Sequence, residues 1–434
     1  MTDFKPTKYQ LQSLKTGQLF NDSGWILDDP TTSEGGLIRT VYAERQLNVN
    51  QHLEGIYRFA DWLPIRKMLK GSSAPVTFKS EGLAKHLGLE NLFITFTGWW
   101  PEKGAFNHTC SFKETESYSV MARLADDEKR IMVVASAGNT AKAFAKVCSD
   151  NKIPLLLTLP EDNLDAMWFD EPIDECVKLV VSQSGSDYFD AIHLANLACL
   201  MPEFIAEGGA KNVARREGMG TTTLSAVTTI GQIPDFYFQA VGSGTGAIAA
   251  YEANLRLIED GRFGKNLMKL MVSQNAPFIP IHNAWKQNSR LMLPLDDELA
   301  RKQVAEIDAK VLSNRKPPYP VLGGLYDAMS HAGGDVLIAT NDEAAKANEI
   351  FEQTEGNDLH PASAVATATL INAVRDGLVK PDDLIMLNIT GGGEAKLKRE
   401  HNGDLFYLKP LHVFEINPDF ETVKTVLSNL FQFK

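Results

Sequence analysis

The segment 131–159 constrains the fold of this chain more than any other. Ile131, Met132, Val133, Val134 and Ala135 make a short apolar run of strand character. Residues 139–150 follow with helical spacing, which puts Ala141, Phe144, Ala145 and Cys148 on one stripe. A second apolar run occupies 153–159. Strand, helix and strand within about 30 residues form a βαβ crossover, and a crossover of that kind pairs its strands in parallel. The alternation continues with strands at 177–182, 236–241, 270–273, 336–339 and 384–389 and helices at 188–200, 247–259, 342–354 and 362–376. The expected class is α/β with parallel sheets. Such sheets bind ligands beyond the carboxyl ends of their strands, so the loops after strands are the places to search.

At 434 residues, 44% of them hydrophobic, the chain can bury two or three domain cores, and global disorder is excluded. Its net formal charge of −12 argues against nucleic acid as a partner. Small anions stay admissible, because charges beyond the ~8 Å Debye length are screened and a pocket answers to its own lining. Cys110, Cys148, Cys176 and Cys199 lie far apart with no C-x-x-C pair, and the nine histidines lack ligand spacing. Neither a metal site nor a disulfide framework is expected; reduced thiols fit a cytoplasm. The first ten residues lack the apolar core of a secretory signal, and no apolar run reaches the ~20 residues of a membrane span, so no membrane partner is expected.

Three strand-end loops and one lysine carry chemistry. Gly242, Ser243, Gly244, Thr245 and Gly246 follow a strand and open a helix, a place where free N–H groups and the helix dipole suit a phosphate. Read alone, this loop is equally a tight packing turn. Ser136, Ala137, Gly138, Asn139 and Thr140 also join a strand to a helix and suit a carboxylate, or serve as ordinary caps. Thr390 puts a hydroxyl at the end of strand 384–389, before three glycines. Lys113 follows Ser111 and precedes Glu114, a pairing that fits a capping box with Ser111 as N-cap. Lys113 would then sit in the first helical turn, where the dipole disfavours a cation and lowers amine basicity, as a Schiff-base lysine requires.

Taken together and in order, Ser111-Phe112-Lys113-Glu114, Ser136–Thr140, Gly242–Gly246 and Thr390–Gly393 resemble the tryptophan-synthase-β type, fold type II, of pyridoxal-phosphate enzymes, over about residues 57–400. Within that group the stretch from Asn212 to Thr221 is similar to threonine synthases, with Gly220 where they carry Lys. Pro361 to Ala364 matches a further stretch, with His360 where Glu is usual. The segments 59–64, 100–106, 207–221 and 237–242 resemble the cysteate synthases, a family paralogous to threonine synthase.

The resemblance implies two parallel-sheet α/β domains, the smaller inserted in the larger, plus a short N-terminal appendage. The expected bounds are 1–56 for the appendage, 57–128 and 205–434 for the larger cofactor-binding domain, and 129–204 for a smaller mobile domain. It implies pyridoxal 5′-phosphate on Lys113, with Lys113 also the catalytic base. Gly242, Ser243, Gly244, Thr245 and Gly246 would cradle the cofactor phosphate. Asn139 would meet its 3′-oxygen and Thr390 its ring nitrogen. Ser136, Ala137, Gly138 and Thr140 would take the substrate carboxylate. The implied reaction is replacement of the phosphate of O-phospho-L-serine by sulfite, through an external aldimine and aminoacrylate, in a homodimer. Two anionic substrates need converging cations, for which Arg215 and Arg216 come first and Lys103 and Lys211 second. Threonine synthase, O-phosphoserine sulfhydrylase and a non-catalytic cofactor-binding regulator are the competing readings.

Overall fold

The computed structural model describes residues 5–433 except Gly24 and Ala137. Two parallel sheets organise it. The larger has six strands in the order Gly334–Ala339, Lys269–Asn275, Phe236–Ala240, Leu384–Ile389, Asn91–Phe96 and Val76–Lys79, with only the last antiparallel to its neighbour. The smaller has five parallel strands in the order Phe204–Ala206, Ile131–Ala135, Leu155–Pro160, Val177–Ser182 and His412–Phe414. Every residue of Leu155–Pro160 and of Leu384–Ile389 is buried. This is why both read as unbroken apolar runs: helices cover both faces of a parallel sheet.

The N-terminal segment forms an antiparallel sheet of Leu19–Phe20, Tyr9–Ser13 and Ile38–Tyr42. Leu11 and Ile38 pack on Val213, at the start of the long helix Val213–Ile230. That helix is buried along most of its length and lies between the helices Lys113–Arg123 and Thr245–Asp260. Asp22 ties the segment down further, with both carboxylate oxygens taking hydrogen bonds from Arg123 at 3.0 and 2.9 Å.

The chain after residue 205 does not stay with the larger sheet. Val413 pairs with Val181 on the edge of the smaller sheet, and the final helix Phe420–Phe431 packs there through Val423 and Leu427. Phe431 and Phe433 lie edge-on to Phe204 at 5.4 and 5.5 Å. These aromatic and aliphatic groups gain burial only against the face that Val133, Leu156 and Val180 leave open. Among the described residues no helix is long and apolar enough to cross a membrane.

Candidate active site

The carboxyl ends of strands from both sheets converge on one cavity. Its deeper part, about 70 Å³, is lined by Lys113, Asn139, Gly242, Ser243, Gly244, Thr245, Gly246, His360 and Thr390. It continues into a chamber of about 500 Å³ lined by Lys113, Ser136, Gly138, Asn139, Thr140, Ser243, Thr245, Arg215 and Lys211. All but three of the sequence-derived site residues therefore meet here. Ala137 lies outside the described residues. Arg216 and Lys103 line neither part.

Lys113 begins the helix Lys113–Arg123. The Phe112 N–H donates to the Thr390 carbonyl at 2.8 Å, which fixes the lysine's turn against the end of strand Leu384–Ile389. The expected capping box does not form. Phe112 occupies the cap position without a side-chain bond, and the Ser111 hydroxyl is buried without a partner. Glu114 instead reaches back to accept from the Thr109 N–H. The cause is local: Cys110 adopts a left-handed φ of 56°, and Ser111 pairs with Gly391 as an isolated bridge, so the hydroxyl cannot face the helix end.

Burial holds the Lys113 amine below its ordinary basicity, and the Arg215 guanidinium acts the same way against the opposing pull of Glu116 and Glu207. Lys113 Nζ lies 3.2 Å from Glu116 Oε2. The other Glu116 oxygen accepts from Arg215 at 2.9 Å, and Arg215 Nε stands 3.0 Å from Glu207. Burial pushes the Glu207 carboxyl up, with Arg215 opposing. Glu116 and Glu207 were not singled out from sequence. Glu116 stands three residues after Lys113, a helical contact spacing that could have marked it; Glu207 opens the 207–221 segment but meets the site only through the fold.

The structure corrects two of the four nominated cations. Arg216 is fully buried, ion-paired to Glu252 at 2.9 Å, and bonded to the carbonyls of Ala210 and Ile38. Adjacent residues on a helix point about 100° apart, so Arg216 faces the N-terminal sheet while Arg215 faces the cavity. Lys103 sits on the turn Pro101–Lys103 with Nζ 4.3 Å above the Phe78 ring, outside the cavity. Lys211 stays at the cavity rim, paired to Asp28 at 2.5 Å.

The residues present fit pyridoxal phosphate. The loop 242–246 comes close enough to its surroundings that a Cβ on Gly242 would meet the Val311 carbonyl at 2.9 Å, and one on Gly246 the Gln239 side chain at 2.6 Å. Gly244 takes a φ of +79°. These glycines turn the backbone into the N-terminus of helix Thr245–Asp260, an anion cradle within the cavity that also holds Lys113. Gly138 takes a φ of 148°, and its N–H donates to Ser136 Oγ at 3.0 Å as the helix Asn139–Asn151 begins.

Asn139 meets His360. The Ala362 N–H donates to His360 Nδ1 at 3.3 Å, and burial lowers the ring's basicity, so the neutral ring carries its proton on Nε2. Asn139 Nδ2 stands 3.3 Å from that Nε2. Two donors cannot share a bond, so the amide turned over gives its oxygen to His360 and its NH2 to the cavity.

Fold and site together define a pyridoxal-phosphate-dependent enzyme of fold type II. The family model for pyridoxal-phosphate dependent enzymes matches residues 78–391. A cysteate synthase of Methanosarcina barkeri is 44% identical over 95% of this chain and 97% of that protein. One of Methanocella paludicola is 48% identical over 84% of this chain and 86% of its own length. Among solved structures, diaminopropionate ammonia lyase from Escherichia coli shares the fold with a TM-score of 0.59 at 14% identity, covering 78% of this chain and 89% of that one. The chain belongs to the pyridoxal-phosphate-dependent enzymes and, within them, to the cysteate synthase family.

Proposed function

We propose that this enzyme forms L-cysteate and phosphate from O-phospho-L-serine and sulfite. The observation that carries the reading is kinship with proteins named cysteate synthase over nearly the whole chain. When bound, pyridoxal phosphate supplies the electron sink for charge at the substrate Cα. In this reading Lys113 Nζ would hold the cofactor's aldehyde carbon and, once released, would take the Cα proton, and its lowered basicity favours the free amine that this role needs. The loop 242–246 would hold the cofactor phosphate, and Asn139 and Thr390, which line the same cavity, would meet its 3′-oxygen and ring nitrogen. Ser136, Gly138 and Thr140 would receive the substrate α-carboxylate at the start of helix Asn139–Asn151. The unit built on the smaller sheet is the mobile part that excludes water, and a cytoplasmic homodimer belongs to the same proposal.

Holoenzyme mixed with O-phospho-L-serine and sulfite should release phosphate and L-cysteate in equal amounts. Sulfide as acceptor, or O-phosphohomoserine as donor, should react at least about tenfold more slowly, the discrimination expected of a site that hydrogen-bonds the right group. Phosphate release without cysteate, or faster reaction with sulfide, sinks the reading.

His360 supplies a separate check. His360→Ala removes the donor that turns the Asn139 amide, so the apparent dissociation constant for pyridoxal phosphate should rise about tenfold, the value of one lost hydrogen bond. His360→Gln, which keeps a donor, should recover most of it. Equilibrium dialysis reads both.

A further inference from the structure

Both proposed substrates carry a doubly charged oxyanion, yet the nominated cations that line the cavity are already committed. Arg215 lies between two buried carboxylates, Glu116 at 2.9 Å and Glu207 at 3.0 Å. Lys211 is paired to Asp28. Another lining cation differs. Lys316 lines the chamber and, among the described residues, has no carboxylate within 4 Å of its amine; its Nζ stands 4.5 Å from the Phe189 ring centroid.

Lys316 also lines a second chamber of about 630 Å³, which shares five lining residues with the first and so continues from it. That second lining carries Arg301, Lys310, Arg315 and Lys316 against Asp162 and Asp187, a local positive excess on a protein whose net charge is −12. Local lining charge is what an entering anion feels at physiological ionic strength.

The lysine stands on a held segment. Its own N–H donates to Asn314 Oδ1 at 2.9 Å, and Pro317 and Pro318 follow it. Arg315 before it is anchored to Asp187, the N-cap of helix Tyr188–Ala198, at 2.6 Å, and to Asp297 at 2.8 Å. The segment therefore bridges the large unit and the small one. We propose that Lys316, at the junction of the two chambers, is the cation of an oxyanion subsite that takes the substrate phosphate and the incoming sulfite. The site deepens the cysteate-forming reading, and its ligand class is a tetrahedral or pyramidal oxyanion of charge near −2.

The test uses inorganic phosphate titrated calorimetrically into holoenzyme. Lys316→Gln should weaken phosphate binding at least about tenfold, the loss of one charge-assisted hydrogen bond. Lys316→Arg should stay within about threefold of the parent, since guanidinium also matches a phosphate face. The cofactor's visible absorbance should be the same in all three. In turnover, Lys316→Gln should raise KM for O-phospho-L-serine with kcat nearly kept, and leave O-acetyl-L-serine, whose leaving group is uncharged when bound, unaffected. Equal phosphate affinity in parent and Lys316→Gln, or equal losses for the two donors, overturns the subsite. Cysteate is scored separately: a protein that binds phosphate through Lys316 yet makes no cysteate supports the subsite and removes the proposed function.

Discussion

Lys113→Ala should lower the rate of phosphate release from O-phospho-L-serine by at least about 10³-fold. Loss of a positioned general base alone is worth about 10² to 10⁴, and the covalent hold on the cofactor goes with it. The fold should survive. Burial already disfavours the Lys113 charge, and Glu116 keeps its bond to Arg215 when the amine is gone. The cofactor should stay in the cavity, bound without its lysine link, so its visible absorbance should become that of the free aldehyde. Added methylamine should restore part of the proton transfer. Retained turnover, or an unchanged absorbance band, would remove Lys113 from the site. A companion change fixes the electrostatic sign. Glu116 pulls the Lys113 basicity upward against burial. Glu116→Gln removes that pull, so the released amine loses its proton at lower pH and the acid limb of kcat, which reports groups in the substrate-bound enzyme, should move down in pH. A shift upward would mean that the limb belongs to another group.

What was legible in the sequence follows from the range of the interactions involved. Strands such as Leu155–Pro160 and Leu384–Ile389 are buried on both faces, so their composition alone reveals them. The loop 242–246 was legible because its glycines answer to a local need, namely a turn with no room for a Cβ. Ser111 misled because capping statistics assume an ordinary approach to the helix, and the left-handed Cys110 changes that approach. The phase of helix Val213–Ile230 was not legible. Buried nearly all round, it has no polar face to orient it, so the motif match favoured Arg215 but the pattern along the helix did not show which of Arg215 and Arg216 faces the cavity. The attachment of the C-terminal helix Phe420–Phe431 to the smaller sheet is equally invisible along the chain, because its partners Phe204 and Val180 lie more than 200 residues away.

The division between the two arginines carries the second large expectation. Arg215→Ala should destabilise the protein by about 3–5 kcal/mol, because it leaves Glu116 and Glu207 buried and facing each other without their shared cation. The pH dependence follows from the direction in which these groups are held. Burial raises the Glu207 carboxyl in the folded protein while Arg215 holds it down; removing Arg215 raises it further. A carboxyl whose folded value lies above its unfolded one gives the folded state extra protons between the two values, so stability falls as pH rises through that window. The deficit of Arg215→Ala should therefore grow as pH rises and shrink in mild acid. Urea unfolding midpoints at pH 5.5 and pH 8 read this directly. Arg215→Met combined with Glu116→Gln and Glu207→Gln should recover most of the loss, since no uncompensated charge is left inside. The opposite pattern also has a definite meaning. If Arg215→Ala leaves the midpoints where they were and raises only KM for O-phospho-L-serine, the guanidinium serves the substrate, and the two glutamates hold their charges by some other partner.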